Sequence, residues 1–156
     1  MRDEDRAQLL DTVSATFLQV VEQLTFMFGE PTEKSAILDD DVEHVVASLA
    51  FTGDVNGTLS LVAPADCVRE IAANILGLEP DELEPDSLAP DSLGEMLNVI
   101  CGHVIMAIAG RNADFRLGSP VIAPAGPEFL MAAVAGAEWL GFVLDDSPVL
   151  LGLVTE

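Results

Sequence analysis

The sequence predicts an α+β domain in which an antiparallel sheet is covered on one face by long helices. Three segments carry apolar residues at helical spacing, and the remaining segments are short and separated by Gly, Pro and Asp. Half of the 156 residues are hydrophobic, which is enough to bury the core of one ordinary domain. Because no change in composition divides the chain, we expect residues 1–156 to form a single domain.

Gly, Pro and Asn residues mark the boundaries of the predicted elements. Gly29 and Pro31 end the first helix. An Asn-Gly turn at 56–57 joins the first two strands, and Pro64 opens the second helix at its first turn. The predicted order is a helix over residues 5–28, strands over 44–51 and 57–62, helices over 64–77 and 91–110, and strands near 115–122, 129–137, 139–145 and 149–154.

The charge of the chain is strongly negative. Six Lys and Arg residues stand against 27 Asp and Glu residues, which gives a formal net charge of −21. Binding to nucleic acid or to an anionic membrane surface requires clustered basic side chains, and here they are few and scattered. We therefore exclude both classes of partner and interpret the acidity as a feature that favours solubility.

The sequence also predicts a soluble, cytoplasmic protein. Its first six residues are largely charged and do not resemble a signal peptide. The longest apolar stretch, residues 129–144, is interrupted by Glu138 and by glycines, and it is too short for a membrane-spanning helix.

The helix predicted over residues 91–110 has two different faces. Its polar residues Glu95 and Asn98 are three positions apart, so their side chains are neighbours on one side of the helix. Such a pair is common on solvated helices and is a weak indicator of function by itself. Asp91, Glu95, Asn98 and Gly102 form the outer side, and the inner side, which we expect to pack on the sheet, consists of Leu93, Leu97, Ile100, Val104 and Ile108.

Gly102 is unusual in the middle of this helix. A glycine there costs roughly 1 kcal/mol relative to alanine, so its presence suggests close approach of another backbone. Because Gly102 lies on the polar side, a partner protein is the more informative interpretation. Ile105, Met106 and Ala109 are predicted to continue the outer side as apolar residues, which would then need a covering segment or partner.

Three segments in the right order resemble the CheX branch of the CheC/CheX chemotaxis phosphatases. The helix segment Ser92 to Gly102 contains Glu-x-x-Asn followed by x₃-Gly, which is similar to the family's motif. The segment Phe51 to Leu59 resembles the family's hairpin, and the segment Leu117 to Ile122 resembles its Ser-Pro-bearing strand after the motif helix. The resemblance covers most of the chain.

The resemblance implies a phosphatase that acts on the aspartyl phosphate of a CheY-like response regulator. It implies that the Asn98 amide orients the attacking water and that Glu95 docks the partner, with Asp91 and Gly102 in the docking surface. The protein would need no cofactor of its own, because Mg²⁺ is expected on the phosphorylated partner. A non-catalytic adaptor that binds a receiver domain without turnover is the alternative.

Two further expectations follow from the resemblance. CheC-type members carry a second Glu-x-x-Asn on the first helix, whereas the stretch that we compare with it here, residues 22–25, has Glu22 but ends in Thr25. We therefore predict one active site per chain. CheX-like members form dimers, so a homodimer is implied.

Other residues capable of chemistry do not form a recognisable site. The two cysteines and two histidines are scattered singly and do not supply the ligands of a zinc site. The Asp run at 39–41 lacks the ligand spacing of a calcium loop. Neither Ser92 nor Ser119 lies in a nucleophile-elbow context. We predict no metal site, buried free thiols and a partly buried structural His103. The residues capable of chemistry outside the motif helix's polar side are His44, His103, Cys67, Cys101, Asp39, Asp40, Asp41, Ser92 and Ser119.

Overall fold

A computed structural model describes residues 2–84 and 88–156, and in these ranges it contains a seven-stranded antiparallel sheet and four α-helices. The fold class predicted from the sequence is confirmed. The helices are α1 (Asp3–Thr25), α2 (Ala65–Leu76), α3 (Leu88–Ala109) and α4 (Pro127–Ala135). The strands are β1 (Gly29–Thr32), β2 (His44–Gly53), β3 (Gly57–Pro64), β4 (Phe115–Leu117), β5 (Val121–Ala125), β6 (Trp139–Leu144) and β7 (Ser147–Thr155), and two short 3₁₀ helices lie at Lys34–Ile37 and Pro80–Glu82.

The strands follow the order β1-β6-β7-β3-β2, and β4 and β5 both pair with the outer edge of β2. β4 continues the ladder as far as Leu117 opposite Phe51, and β5 resumes it at Val121 opposite Ser48. Residues 118–120 lie between the two strands. The Gly118 N–H donates to the Ala50 carbonyl (2.8 Å), which holds this interruption against β2.

The two faces of the sheet are covered unequally. Alternate residues of a strand point to opposite faces, so Ala47 and Leu49 enter one core cluster and Val46 enters another. The larger cluster lies under α1, α2 and α3 and contains most of the buried aliphatic side chains. The smaller cluster lies on the opposite face under α4 and the first 3₁₀ helix, with Leu130 and Ile37 as its contributions from these elements.

The strand predicted over residues 129–137 is wrong, because this segment is helix α4. Its residues from Phe129 to Ala135 are all apolar, and a continuous apolar run has no periodicity that separates a strand from a helix. Pro127 at the first turn and the Ala, Leu and Met content favour the helix. Strand β1 was missed as well, and the prediction for residues 115–122 merged β4 and β5.

The end of α1 has an unusual backbone conformation. Phe26 adopts the left-handed region (φ 61°, ψ 12°), and its N–H donates to the Glu22 carbonyl (2.9 Å). This position after a helix is most often glycine, because a Cβ is disfavoured there. The reversal brings Met27 into the core, where it is 1% exposed, while the Phe26 side chain remains 84% exposed.

We expect Phe26→Gly to raise the free energy of unfolding by about 1 kcal/mol, because glycine tolerates the left-handed conformation. The midpoint of thermal unfolding should rise by about 2–4 °C for a chain of this size. Phe28→Gly is the matched control, since Phe28 is also exposed but has no positive φ. A lower melting temperature for Phe26→Gly would mean that the ring stabilises the fold more than its backbone strain destabilises it.

Candidate functional site

Helix α3 is buried on most of its circumference. By length and composition alone it would qualify as a membrane-spanning helix, but its apolar side chains belong to the core of this domain. The inner positions predicted from the sequence lie in or against that core, and three further positions, Met96, Cys101 and Ile105, join them. The residues of α3 that are at most 1% exposed are Leu93, Met96, Leu97, Ile100, Cys101, Val104 and Ile105.

What remains accessible is a narrow strip along one side of α3, which we call the α3 stripe. Asp91 and Glu95 are exposed, and Asn98 and Gly102 are half-buried. Val99, 39% exposed, and the exposed His103 lie in the same strip, although neither was predicted to belong to it. The i, i+4 spacing of Glu95, Val99 and His103 would have revealed this strip from the sequence. The α3 stripe is defined as Asp91, Glu95, Asn98, Val99, Gly102 and His103.

Two predictions about this side of α3 are wrong. Ile105 is fully buried within the chain, so the outer side does not become apolar at that position. His103 was expected to be partly buried and structural, but it is exposed. Ile105 is buried because the apolar arc of α3 is wider than the single row of inner residues on which the prediction relied. His103 is exposed because it lies four positions after Val99 and eight after Glu95, on the accessible side of the helix.

The two motif side chains are not engaged by the rest of the chain. Within residues 2–84 and 88–156, the side-chain hydrogen bonds connect other residues, and none involves the Glu95 carboxylate or the Asn98 amide. An amide carries two donor hydrogens and an acceptor oxygen, so Asn98 has unused capacity for both kinds of hydrogen bond. The arrangement therefore offers a carboxylate and an amide, one helical turn apart, to an external group.

The α3 stripe lies outside the two grooves described for this domain. A groove of about 810 Å³ lies between β2, β5 and the N-terminal ends of α2 and α3, and a second of about 520 Å³ lies beside the C-terminal ends of α1 and α2. In the described part of the chain, neither groove is lined by a residue of the α3 stripe. Small molecules are usually bound in concave sites, so this surface is suited to a protein partner.

The two glycines of the motif segment have different surroundings. A Cβ on Gly94 would lie 3.2 Å from Pro120 Cβ and 3.3 Å from Pro120 Cγ, so the side chain of Pro120 rests directly on the helix backbone. A Cβ on Gly102 would meet only Phe115 Cζ, at 4.0 Å. The fold therefore gives a reason for glycine at position 94. It gives none at position 102, where space outside the chain remains open.

The first helix does not present a second motif at the residues compared in the sequence. Thr25 is the last residue of α1 and is fully buried. Its hydroxyl donates to the Val21 carbonyl (2.7 Å) and accepts from the Met27 N–H (3.1 Å). In the middle of α1, Asp11 and Ser14 also lie three positions apart, but α1 contains no asparagine at any position.

The remaining candidate residues have structural surroundings. Burial raises the pKa of Cys67 to about 11 and that of Cys101 to about 12, which leaves both as unreactive thiols at neutral pH. Burial also lowers the pKa of His44. The Asp41 N–H donates to Asp39 Oδ1 (3.0 Å), as in a polar turn. Among the described residues, no three His, Cys, Asp or Glu side chains are grouped so as to hold a metal ion.

The fold and the α3 stripe define an α+β domain that presents a carboxylate and an amide on an otherwise buried helix. The family model described as chemotaxis phosphatase CheX matches residues 45–135, which is more than half of the chain. The chain therefore belongs to the CheX family of chemotaxis phosphatases. No protein with a curated description matches the sequence significantly.

Solved structures with similar folds include several CheX proteins. CheX from Vibrio vulnificus is 18% identical, with a TM-score of 0.69 and coverage of 97% of this chain and 98% of that chain. CheX from Desulfovibrio desulfuricans is 15% identical, with a TM-score of 0.70 and coverage of 96% and 99%. A CheX–CheY–BeF₃–Mg²⁺ complex from Borrelia burgdorferi matches at 15% identity and a TM-score of 0.67, with coverage of 94% and 97%. At these identities the likeness establishes the fold alone.

We expect the two glycines of the motif segment to respond oppositely to alanine. Gly102→Ala should raise the free energy of unfolding by roughly 0.5–1 kcal/mol, because alanine has the higher helix propensity and meets no close neighbour. Gly94→Ala should be less stable than Gly102→Ala by about 1–2 kcal/mol, because the new methyl presses on Pro120. Urea unfolding of the two variants measures the difference. Equal free energies of unfolding would show that Pro120 moves away from the new methyl group without a loss of stability.

Proposed function

We propose that this protein hydrolyses the aspartyl phosphate of a CheY-like response regulator. The observation that carries the proposal is the α3 stripe, where Glu95 and Asn98 lie one turn apart on an accessible surface, without side-chain hydrogen-bond partners among the described residues. Membership of the CheX family supplies the reaction class. The Borrelia burgdorferi complex supports the choice of partner, since it contains CheY together with beryllium fluoride, an anion of about the shape of a phosphoryl group.

Asn98 is the proposed catalytic residue. Its amide oxygen accepts from a water and its amide nitrogen donates to the same water or to a phosphoryl oxygen, so the water is held in line with the P–O bond that breaks. As the water oxygen bonds to phosphorus, the electron pair of the breaking P–O bond stays on the carboxylate of the partner's aspartate, the proton lost by the water passes to a phosphate oxygen, and inorganic phosphate leaves. The amide acts by positioning, and the Mg²⁺ that neutralises the phosphoryl oxygens belongs to the partner.

The proposed role of Glu95 is docking. Its exposed carboxylate would pair with a lysine of the receiver and fix the partner one turn away from Asn98. Gly102 lies one turn beyond Asn98 and lacks a side chain, so a backbone of the partner can approach α3 there. Asp91, at the other end of the α3 stripe, would extend the docking surface.

A second candidate is a non-catalytic adaptor, because Glu-x-x-Asn is a short motif and can serve docking alone. Receiver active sites are acidic, so a net charge of −21 disfavours long-range approach for either candidate. An adaptor would bind the receiver through the same stripe and leave its phosphate in place. One catalytic site per chain, a homodimer and a cytoplasmic location stay predictions from the sequence.

A receiver dephosphorylation assay separates the roles of the two residues. With a CheY-like receiver phosphorylated by a small acyl phosphate and Mg²⁺, we expect Asn98→Ala to slow phosphate loss at saturating protein by at least about 100-fold. Glu95→Ala should mainly raise the concentration required for half-maximal rate, by about tenfold, because it removes docking and leaves the amide. Asp11→Ala and Ser14→Ala are matched controls on α1 and should leave both quantities unchanged.

Three results would decide against parts of the proposal. Equal rates for the wild type and Asn98→Ala would exclude catalysis by this amide. Binding of the phosphorylated receiver without faster phosphate loss would identify the adaptor. If Gly102→Ala, which should be more stable than the wild type, also retained the full rate, the partner would not approach α3 closely at that position.

A further inference from the structure

Two aromatic side chains lie exposed at the end of the domain where α1 stops. Phe26 is 84% exposed and Phe28 is 65% exposed. Phe26 also occupies a left-handed backbone position at which glycine would be favoured. A strained position that carries a large exposed ring is unexplained by the fold, and residues of this kind cluster at functional sites.

A groove of about 520 Å³ adjoins Phe26 and separates the ends of α1 and α2. Leu78, 37% exposed, contributes apolar surface to it, and Gly77 opens it at the end of α2. Four carboxylates also line the groove. We call this region the Phe26 surface and define it by Phe26, Phe28 and Leu78 together with Glu70, Glu79, Glu82 and Asp145.

Two of these carboxylates are fixed by the backbone. Asp145 Oδ1 accepts from the Phe28 N–H (2.9 Å), and Glu82 Oε1 accepts from the Glu79 N–H (2.9 Å). The Asp145 N–H in turn donates to the Phe28 carbonyl (2.7 Å), so this carboxylate is held against the backbone of Phe28. The negative charge therefore has a defined place next to the apolar surface.

Helix ends add to the negative potential. Both α1 and α2 terminate at the Phe26 surface, at the left-handed residues Phe26 and Gly77, and neither helix has a basic residue in its last turn. The C-terminal end of a helix carries partial negative charge from its free carbonyls. The groove thus combines two helix ends of this sign with four carboxylates, beside exposed aromatic and aliphatic side chains.

We propose that the Phe26 surface docks a segment of a partner protein in which Lys or Arg side chains accompany large apolar ones. The rings and Leu78 would bury the apolar side chains, and the carboxylates and helix ends would pair with the cations. A second copy of this chain fits poorly, because a molecule with a net charge of −21 is repelled from an acidic groove. The site shares no residue with the α3 stripe and does not depend on the proposed phosphatase function.

The test uses the full chain and a short fluorescent peptide of lysine and leucine with the leucines on one face. Two comparison peptides replace leucine by serine, or lysine by glutamate. We expect the lysine–leucine peptide to bind and both comparison peptides to bind at least about tenfold more weakly. Phe26→Gly should raise the dissociation constant at least about tenfold while the melting temperature does not fall. Met131→Ala removes an exposed apolar side chain on α4 and should leave the dissociation constant unchanged.

The carboxylates are tested in the same way. Glu79→Gln combined with Glu70→Gln should weaken binding and reduce its salt dependence. Glu4→Gln combined with Glu128→Gln removes the same charge at exposed positions that do not line the groove, and should have neither effect. Equal effects of Phe26→Gly and Met131→Ala, or of the two sets of Glu→Gln changes, would reduce the binding to general attraction by an acidic protein and overturn the proposal. Self-association of the wild type that Phe26→Gly abolishes would also overturn it, since the surface would then join two copies of this chain.

Discussion

The burial of α3 is the constraint on which the rest of the structure depends. Seven of its side chains are at most 1% exposed, so the helix cannot rotate or slide without opening the core. What the packing leaves accessible includes the narrow α3 stripe, and Glu95 and Asn98 lie in it. A positioning mechanism requires an amide whose direction is fixed to a fraction of an ångström. The packing under the α3 stripe fixes the backbone that carries Asn98, and Pro120, whose side chain lies against Gly94, fixes the start of the motif. The direction of the amide itself would be set by its contacts with the water and the partner.

The fold was predictable from the sequence wherever the spacing of apolar residues distinguishes a helix from a strand. The helical spacing in α1, α2 and α3 and the Asn-Gly turn between β2 and β3 are signals of this kind. The segment that became α4 is apolar at every position from Phe129 to Ala135, so its conformation is decided by the second core cluster, where Leu130 and Ala133 pack on Val46 and Leu150. That contact joins residues far apart in the sequence, and no local pattern contains it.

The site was predictable in its residues but not in its surroundings. The i, i+3 spacing placed Glu95 and Asn98 on one side of α3, and the resemblance to a family supplied the chemistry that spacing alone could not. The sequence did not predict that Ile105 would be buried, because the width of the apolar arc depends on how closely α1 packs beside α3. The exposure of His103 was contained in its i, i+4 spacing from Val99 and Glu95. The sequence also could not predict that Gly94 and Gly102 have different surroundings, because only the fold brings Pro120 to Gly94 and leaves Gly102 uncovered.

The negative charge has opposite consequences for the two proposed surfaces. An acidic receiver approaching the α3 stripe is repelled by a chain with a net charge of −21, so its docking must rely on short-range contacts such as Val99 and a lysine paired with Glu95. A basic segment approaching the Phe26 surface is attracted over the same distances. Salt screens both effects, with a Debye length of about 10 Å at 0.1 M. Raising the ionic strength should therefore speed association with a receiver and weaken binding of a basic peptide. Stopped-flow association rates with the receiver and peptide titrations at two salt concentrations measure these changes. If salt slowed association with the receiver or strengthened binding of the basic peptide, that surface would have been assigned a partner of the wrong charge.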